Sequence, residues 1–385
     1  MEALPWPRPR PGPDNRRGRP ARFRPVVTAV EPAEVGMSNR IRVAVTGAGG
    51  GVGQSIIKSL QDSEYDVVAL DSHPLATGLY AAPRAHLVPA PHEPSYIDHL
   101  IDLCRAERCR VLFPGLDTEL AALSRARAAF ERVGTTVVVS TPDVVECSDN
   151  KLLTHQVLSK HDVPVPATVD LTQSPRPAAP PRPGAAGLEP PLPYPFIVKR
   201  RTGGSRSRDV HLVRDDHDLA TVAGQLGDPS AFIAQQYIEG DEYTCGSVNL
   251  DGQCHGVIAM RRTLRDGDTY KCFVTRNAVV EETTTQVARA LRPFGACNVQ
   301  LRVDGGTAYV FEINARCSGT TAARSLSGFN EPRMITDFIC HGRPPAFRIQ
   351  EQTILRYWTE LVVPDDDVAA MASTGSRHQS RERTL

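Results

Sequence analysis

The sequence predicts two unlike parts: an open, parallel α/β domain over residues 41–147 and a mixed, mainly antiparallel α+β domain over 148–363. Three observations predict this. Between residues 41 and 139, short β-branched runs alternate with apolar residues at helical spacing, as in a parallel sheet covered by helices on both faces. From residue 196 onward, strand-like runs follow one another across short glycine turns, as antiparallel hairpins do. The 385 residues also exceed the roughly 100–200 of one domain, so two cores are affordable.

In order, IRVAVT (41–46) is a strand, Val52, Ile56, Ile57 and Leu60 share a helical face, and VVAL (67–70) is a second strand, completing a βαβ unit. A helix from Tyr96 to Cys104, a strand at VLF (111–113), a helix from Glu119 to Phe130 and a strand at TTVVV (135–139) continue the alternation. SDNKLLTHQVLSKHDVPVP (148–166) reads as a helix with Ser148 or Asp149 as N-cap, ending before Val163-Pro164. The proline-rich run 173–195 lacks donors and reads as a solvated loop. FIVKRR (196–201) then pairs across a GGS turn (203–205) with DVHLV (209–213), and AFIAQQYI, EYTCGSVNL and CHGVIAM are further strands. Residues 1–40, dense in proline and arginine, are expected to be disordered, and Met37 offers an alternative start. Residues 364–385 are polar and are expected to form a flexible tail.

The 44 basic and 44 acidic side chains cancel, so no overall field favours nucleic acid or a membrane surface. No apolar run approaches the ~18 residues of a membrane helix. Nine scattered cysteines without a C-x-x-C pair fit free thiols in a reducing cytoplasm rather than zinc or disulfides.

Two stretches carry chemistry. VAVTGAGGGVGQS (43–55) places glycines between a strand and a helix, where a dinucleotide pyrophosphate binds, and Asp71 ends the second strand where a ribose-binding acid is expected. The G-x-G-x-x-G spacing fails, because Val52 holds the sixth position after Gly47 and Gly49; only Gly47, Gly50 and Gly53 keep a looser spacing. A tight βα turn and an anion-binding turn both remain open readings. The second stretch, NVQLRV (298–303), a D-G-G turn and TAYVFEINAR (307–316), reads as a hairpin. Glu312 and Asn314, two apart, share a face, and a turn centred on Gly306 sets Gln300 opposite Glu312. One carboxylate and two amides suit Mg²⁺, which takes its other ligands from substrate phosphates and water. The competing reading is of ordinary polar residues at a sheet rim. Lys199, flanked by apolar residues ahead of a glycine turn, is placed to meet phosphates as a point charge.

The motifs NKLLTHQVL…VPVPAT, FIVKRRTGGS, IAQQYIEGDEY, NVQLRV and VFEINARCSGTTAA together resemble the ATP-grasp enzymes, in particular one ATP-grasp half of the carbamoyl phosphate synthetase large subunit, over residues 41–342. The resemblance makes 41–147 a pre-ATP-grasp domain and 148–363 an ATP-grasp domain with a lid. It implies that Lys151 and Lys199 contact ATP, and that Gly203, Gly204 and Ser205 close over the phosphates. It further implies that Gln236, Tyr237 and Ile238 receive adenine, that Glu242 lies near the ribose, and that Gln300, Glu312 and Asn314 hold Mg²⁺ or Mn²⁺. Arg316 matches the arginine beside the acyl phosphate. The sequence departs at Arg206 and Arg208 in the lid, and at Gly319, where the synthetase has an arginine; both a second ATP-grasp half and a glutaminase are missing from this sequence.

The implied activity is an ATP-dependent, ADP-forming carboxylate–amine ligase that works through an acyl phosphate, with small-molecule acid and amine substrates and, as relatives often have, a homodimeric state. Within the class, the rival is a carbamoyl-forming enzyme using bicarbonate and ammonia. Outside it stand an NAD(P)-dependent oxidoreductase built on the glycine turn and a catalytically silent nucleotide-binding protein. Cys297 and Cys317 are expected to be packing residues.

Overall fold

A computed structural model describes residues 40–172, 190–204, 209–378 and 385. The expected disorder of 1–40 lies almost entirely outside the described residues, as do most of the proline-rich loop and Ser205, Arg206 and Arg208 of the expected lid.

The first sheet is built from β1 (Ile41–Val45), β2 (Tyr65–Asp71), β3 (Arg84–Leu87), β4 (Cys109–Phe113) and β5 (Thr136–Val137), interleaved with α1 (Gly51–Leu60), α2 (Gly78–Ala81), α3 (Tyr96–Ala106) and α4 (Leu120–Glu131). These five strands are parallel in the order β3-β2-β1-β4-β5. Successive residues of β1 and β2 feed opposite cores. Val43, Val45, Val67 and Ala69 pack on one side, and Ala44, Val68 and Leu70 pack on the other with Leu100 and Leu123. That two-sided burial explains the near-continuous apolar runs that predicted a parallel sheet.

Two helices follow, α5 (Pro142–Asp149) and α6 (Lys151–Lys160). The sequence suggested one helix capped by Ser148 or Asp149; those residues instead end α5, and Asn150 caps α6 by accepting from Leu153 N at 3.2 Å. The extended backbone of Asn150 breaks the helix there, and its short amide satisfies a first-turn donor. A small antiparallel sheet, β6-β9-β7-β8, comes next, from β6 (Thr168–Asp170), β7 (Phe196–Arg200), β8 (His211–Val213) and β9 (Phe232–Gln236), backed by α7 (Asp216–Gln225). The predicted β7–β8 pairing is present, with Phe196 opposite Val213.

The third sheet is antiparallel: β10 (Asp241–Leu250), β11 (Gln253–Arg265), β12 (Asp268–Val274), α8 (Ala278–Leu291), β13 (Gly295–Asp304), β14 (Thr307–Asn314), α9 (Thr321–Leu326), α10 (Glu331–His341) and β15 (Thr353–Leu355), with strand order β14-β13-β10-β11-β12-β15. Met334 and Ile335 of α10 share a core with Ile56 and Ile57 of α1, so the parallel sheet and the antiparallel sheet are packed into one body.

The chain then returns to the first sheet. Residues 364–378 were expected to fray; they form α11 (Asp365–Thr374) and β16 (Ser376–His378), which pairs antiparallel with the edge strand β3. Three acids in the first turn complement the helix dipole, and Gly375 closes the helix at φ 67°. Met371 is fully buried, and the buried Arg377 donates to the Leu79 carbonyl at 3.1 Å. A polar average concealed this because one apolar anchor and one guanidinium hold the segment.

Candidate active site

The β13–β14 hairpin is the foundation of the site. Its turn is the two-residue Gly305-Gly306, both at positive φ, with Asp304 opposite Thr307. That centre alone would set Gln300 opposite Phe311. A one-residue bulge between Gln300 and Leu301 shifts the ladder, so Gln300 faces Glu312 and Asn298 faces Asn314. The pairing expected from the sequence is therefore present, but a bulge produces it rather than the turn. The bulged Phe311 turns its carbonyl to Lys199, whose Nζ donates to it at 3.1 Å and lies 5.4 Å from the phenyl centroid.

Gln300, Glu312 and Asn314 converge. Gln300 Nε2 donates to Glu312 Oε1 and to Asn314 Oδ1, both at 3.3 Å, and Asn314 Nδ2 donates to Glu312 Oε1 at 3.2 Å. One carboxylate and two amides on one face, with Gln300 and Glu312 opening on a cavity, form an all-oxygen donor set that fits a hard divalent cation such as Mg²⁺.

That cavity, about 270 Å³, lies between the small sheet and the antiparallel sheet. It is lined by Lys151, Lys199, Gly203, Gly204, Gln236, Tyr237, Ile238, Glu242, Gln300 and Glu312, all singled out in the sequence. Ser205 lies outside the described residues, and Asn314 and Arg316 do not line the cavity. Lys199, only 6% exposed, has its pKa lowered to about 8, mainly by burial, with Glu312 opposing and the Lys151 charge assisting. Lys151 donates from Nζ to the Gly203 carbonyl at 2.7 Å, while Asp149 accepts from Gly203 N at 3.0 Å, so the α5–α6 junction anchors the glycine turn. Gly203 and Gly204 both have positive φ, a conformation that favours glycine. Gln236, Tyr237 and Ile238 join β9 to β10, a bridge between the two sheets.

Glu242 is held by two arginines. Arg262 Nε and Nη2 donate to its Oε1 at 2.8 and 2.6 Å, and Arg302 Nη2 donates to its Oε2 at 2.8 Å. Neither arginine was singled out from the sequence. The available signal was the period-two polar series Asn298, Gln300, Arg302 on β13, which faces Glu242 and Thr244 of β10. Behind the donor set, Asn298 donates to Asn314 Oδ1 at 3.2 Å and accepts from Arg324, which is wholly buried and ion-paired with Glu331 at 2.8 Å.

Arg316 reaches into the first domain: its Nε and Nη2 donate to Asp117 Oδ1 and Oδ2 at 2.6 and 2.7 Å. Burial alone would raise the Asp117 pKa, but the guanidinium outweighs it and the carboxyl is held below its ordinary range. Asp117 is thereby the acid that orients Arg316. Its neighbour Glu119 is fully buried, accepting from Thr46 Oγ1 at 2.7 Å and from Gly115 N and Leu116 N at 2.9 Å, which fixes the PGLDTEL turn.

The glycine run is closed on itself. Asp71 Oδ2 accepts from Gly49 N at 2.8 Å, and Gln54 Nε2 donates to the Gly49 carbonyl at 2.8 Å. A Cβ on Gly53 would lie 2.2 Å from the Gly47 carbonyl oxygen, so glycine there permits close helix packing. The acid that would have held a ribose caps the turn, which favours the tight βα turn of the two open readings. All nine cysteines are unpaired thiols; burial pushes Cys297 up to about 12 and Cys317 further, as inert packing residues require.

Comparison with known proteins agrees with this architecture. Residues 43–138 match the PylC-like N-terminal domain, and residues 228–360 match the family described as ATP-grasp in the biosynthetic pathway with Ter operon. The chain is 27% identical over 147 residues to the carbamoyl phosphate synthase large chain of Thermoanaerobacter pseudethanolicus, a match covering 35% of this chain and only 14% of that protein. It is 28% identical over 137 residues to D-alanine–D-alanine ligase A of Bacillus cereus, covering 32% of this chain and 44% of the ligase. Among solved structures, N5-carboxyaminoimidazole synthetase from Staphylococcus aureus superposes with a TM-score of 0.63 at 16% identity, covering 90% of this chain and 91% of that one. L-amino acid ligase from Bacillus licheniformis gives 0.59 at 16% identity, covering 78% and 75%. No helix among the described residues is long and apolar enough to cross a membrane. The chain thus carries a PylC-like N-terminal domain followed by an ATP-grasp domain.

Proposed function

We propose that this protein is an ATP-dependent, ADP-forming ligase that joins a small organic carboxylate to an amine. The observation that carries the reading is the single cavity in which Lys151, Lys199, Gln300 and Glu312 face one another. Such a cavity holds a triphosphate against two ammonium groups and a divalent cation.

Adenine would sit at the bridge of Gln236, Tyr237 and Ile238, with Glu242 toward the ribose and Gly203 and Gly204 over the phosphates. Gln300, Glu312 and Asn314 would hold Mg²⁺, or Mn²⁺ in its place. A bound divalent cation supplies charge neutralisation at the phosphate oxygens. Lys199 and Lys151 hold the γ-phosphoryl in line as the substrate carboxylate attacks phosphorus and ADP leaves. Arg316, oriented by Asp117, steadies the carboxylate and then the acyl phosphate, where developing negative charge needs a fixed donor. The amine next attacks the acyl carbon, and inorganic phosphate departs as the amide forms.

Gly319 favours an organic acid over bicarbonate. A Cβ there would meet nothing closer than the Gly51 backbone at 3.9 Å, so the glycine leaves open space where the synthetase has an arginine. The compartment proposed is a reducing cytoplasm, in keeping with nine cysteines left as thiols. A homodimer is the proposed assembly, resting on the family resemblance alone.

The test is Mg²⁺-dependent ADP release by the purified protein with pooled carboxylic and amino acids, set against bicarbonate plus ammonia. Release that requires an organic acid and an amine supports the ligase. Release with bicarbonate and ammonia alone would replace it with the carbamoyl-forming reading.

A further inference from the structure

A guanidinium has N–H donors and no acceptor, so each of its hydrogen-bond partners must turn an acceptor toward it. Arg262 Nη2 lies 2.6 Å from Glu242 Oε1 and also 2.6 Å from Gln300 Oε1. Its Nε adds a second bond to Glu242 at 2.8 Å, and Nη1 reaches Thr269 Oγ1 at 3.3 Å. The side chain is only 11% exposed and lies on the cavity wall, so it is a built part of the cleft.

This contact fixes Gln300. Because Arg262 holds the amide oxygen, the amide NH₂ must face the other way, and it does, toward Glu312 Oε1 and Asn314 Oδ1. The donor set is thereby satisfied internally: the arginine supplies positive charge, and the glutamine supplies the hydrogens that a cation would replace. A divalent cation at Gln300, Glu312 and Asn314 needs oxygen from Gln300, and therefore requires its amide to turn away from Arg262. Arg302 keeps Glu242 paired when Arg262 lets go of one partner.

We propose that Arg262 is a positioning residue that couples the nucleotide end of the cleft to its metal end. In the nucleotide-free protein it stands in for the cation, pinning Gln300 and neutralising Glu242. As the metal–nucleotide complex enters, the guanidinium gives up Gln300 and remains at the nucleotide end, where it favours the anionic phosphates. Metal binding without nucleotide is thereby held weak, and binding with nucleotide is not. This inference rests on the metal assignment of the preceding section.

The test is direct Mn²⁺ binding, measured by electron paramagnetic resonance with and without ADP, on the full chain. Arg262→Gln is expected to tighten Mn²⁺ binding in the absence of ADP roughly tenfold, since the guanidinium bond that holds the Gln300 oxygen is gone. The same variant is expected to weaken ADP binding in the presence of Mn²⁺. Opposite shifts cannot come from a loosened fold, which would weaken both. Arg262→Lys keeps the charge without the fork that grips Glu242 and Gln300 together, and is expected to behave as Arg262→Gln does for Mn²⁺ alone. Arg302→Gln, which leaves the Gln300 contact intact, is expected to leave Mn²⁺ binding without ADP unchanged.

Wild-type Mn²⁺ binding with ADP present, combined with unchanged or weaker Mn²⁺ binding by Arg262→Gln without ADP, would overturn the proposal and leave the metal site standing. Tightening in Arg262→Gln that Arg262→Lys fully reverses would reduce the effect to bulk charge and overturn the positioning role. No Mn²⁺ binding by the wild type even with ADP would overturn the metal assignment and this proposal together.

Discussion

The glycine turn of the first sheet and the polar face of the third look equally chemical in one dimension, yet they differ in where their polar groups point. In the turn, the Gly49 N–H is taken by Asp71 and the Gly49 carbonyl by Gln54. On the third sheet, Glu242, Gln300 and Glu312 line an open cavity together with Lys151 and Lys199. The lesson is that a motif's glycines or carboxylates matter less than whether they line a cavity with room for a ligand.

The sharpest way to break this contrast is at Glu312. Glu312→Gln removes the only carboxylate of the donor set and is expected to lower ATP turnover by about a thousandfold or more, read as ADP release; retained activity would sink the metal assignment. Lys199 comes next. Lys199→Met is expected to weaken ADP binding by roughly ten- to a hundredfold by calorimetry, as loss of a buried charged partner does. In the wild type, phosphate binding favours the charged ammonium, so the complex holds more protons than the free protein above pH 8. Affinity is then fully expressed below about pH 8 and declines as pH rises through that value. A flat profile from pH 7 to 10 would count against the lysine.

Asp117→Ala strands the Arg316 guanidinium. Because Asp117 is partly exposed, a loss of about 1–3 kcal/mol in denaturant unfolding is expected, together with lower turnover. Unchanged turnover would separate Arg316 from the chemistry. At the glycine turn the same kinds of change should act on stability alone. Gly53→Ala forces a Cβ onto the Gly47 carbonyl and is expected to cost about 2–3 kcal/mol, with ADP affinity in the folded fraction within twofold of wild type. Smallest is Asp71→Asn, expected to shift the melting temperature by a few degrees at most and ADP affinity not measurably.

Much of this was legible in the sequence. The parallel sheet was, because its strands are buried on both faces and carry unbroken apolar runs. The facing of Gln300 and Glu312 was, although a bulge at Phe311 does the work that was ascribed to the turn. The Asp117–Arg316 pair was not, since 199 residues separate its members and no local pattern joins them. Arg262 and Arg302 were hidden among 44 basic residues, each unremarkable until the folded sheet set them against Glu242. The closing α11 and β16 were missed because composition was weighed where caps were informative: the triple acid at 365–367 and Gly375 bracket the helix.

The central claim is that the polar face of the third sheet, and not the glycine turn, receives the nucleotide. The most direct test is calorimetric titration of ADP and of NADP⁺ into wild type and Glu312→Gln, each with and without Mg²⁺. The account predicts Mg²⁺-dependent ADP binding in the wild type, loss of that dependence in the variant, and no NADP⁺ binding by either. Tight NADP⁺ binding that is indifferent to Mg²⁺ and to Glu312→Gln would contradict it.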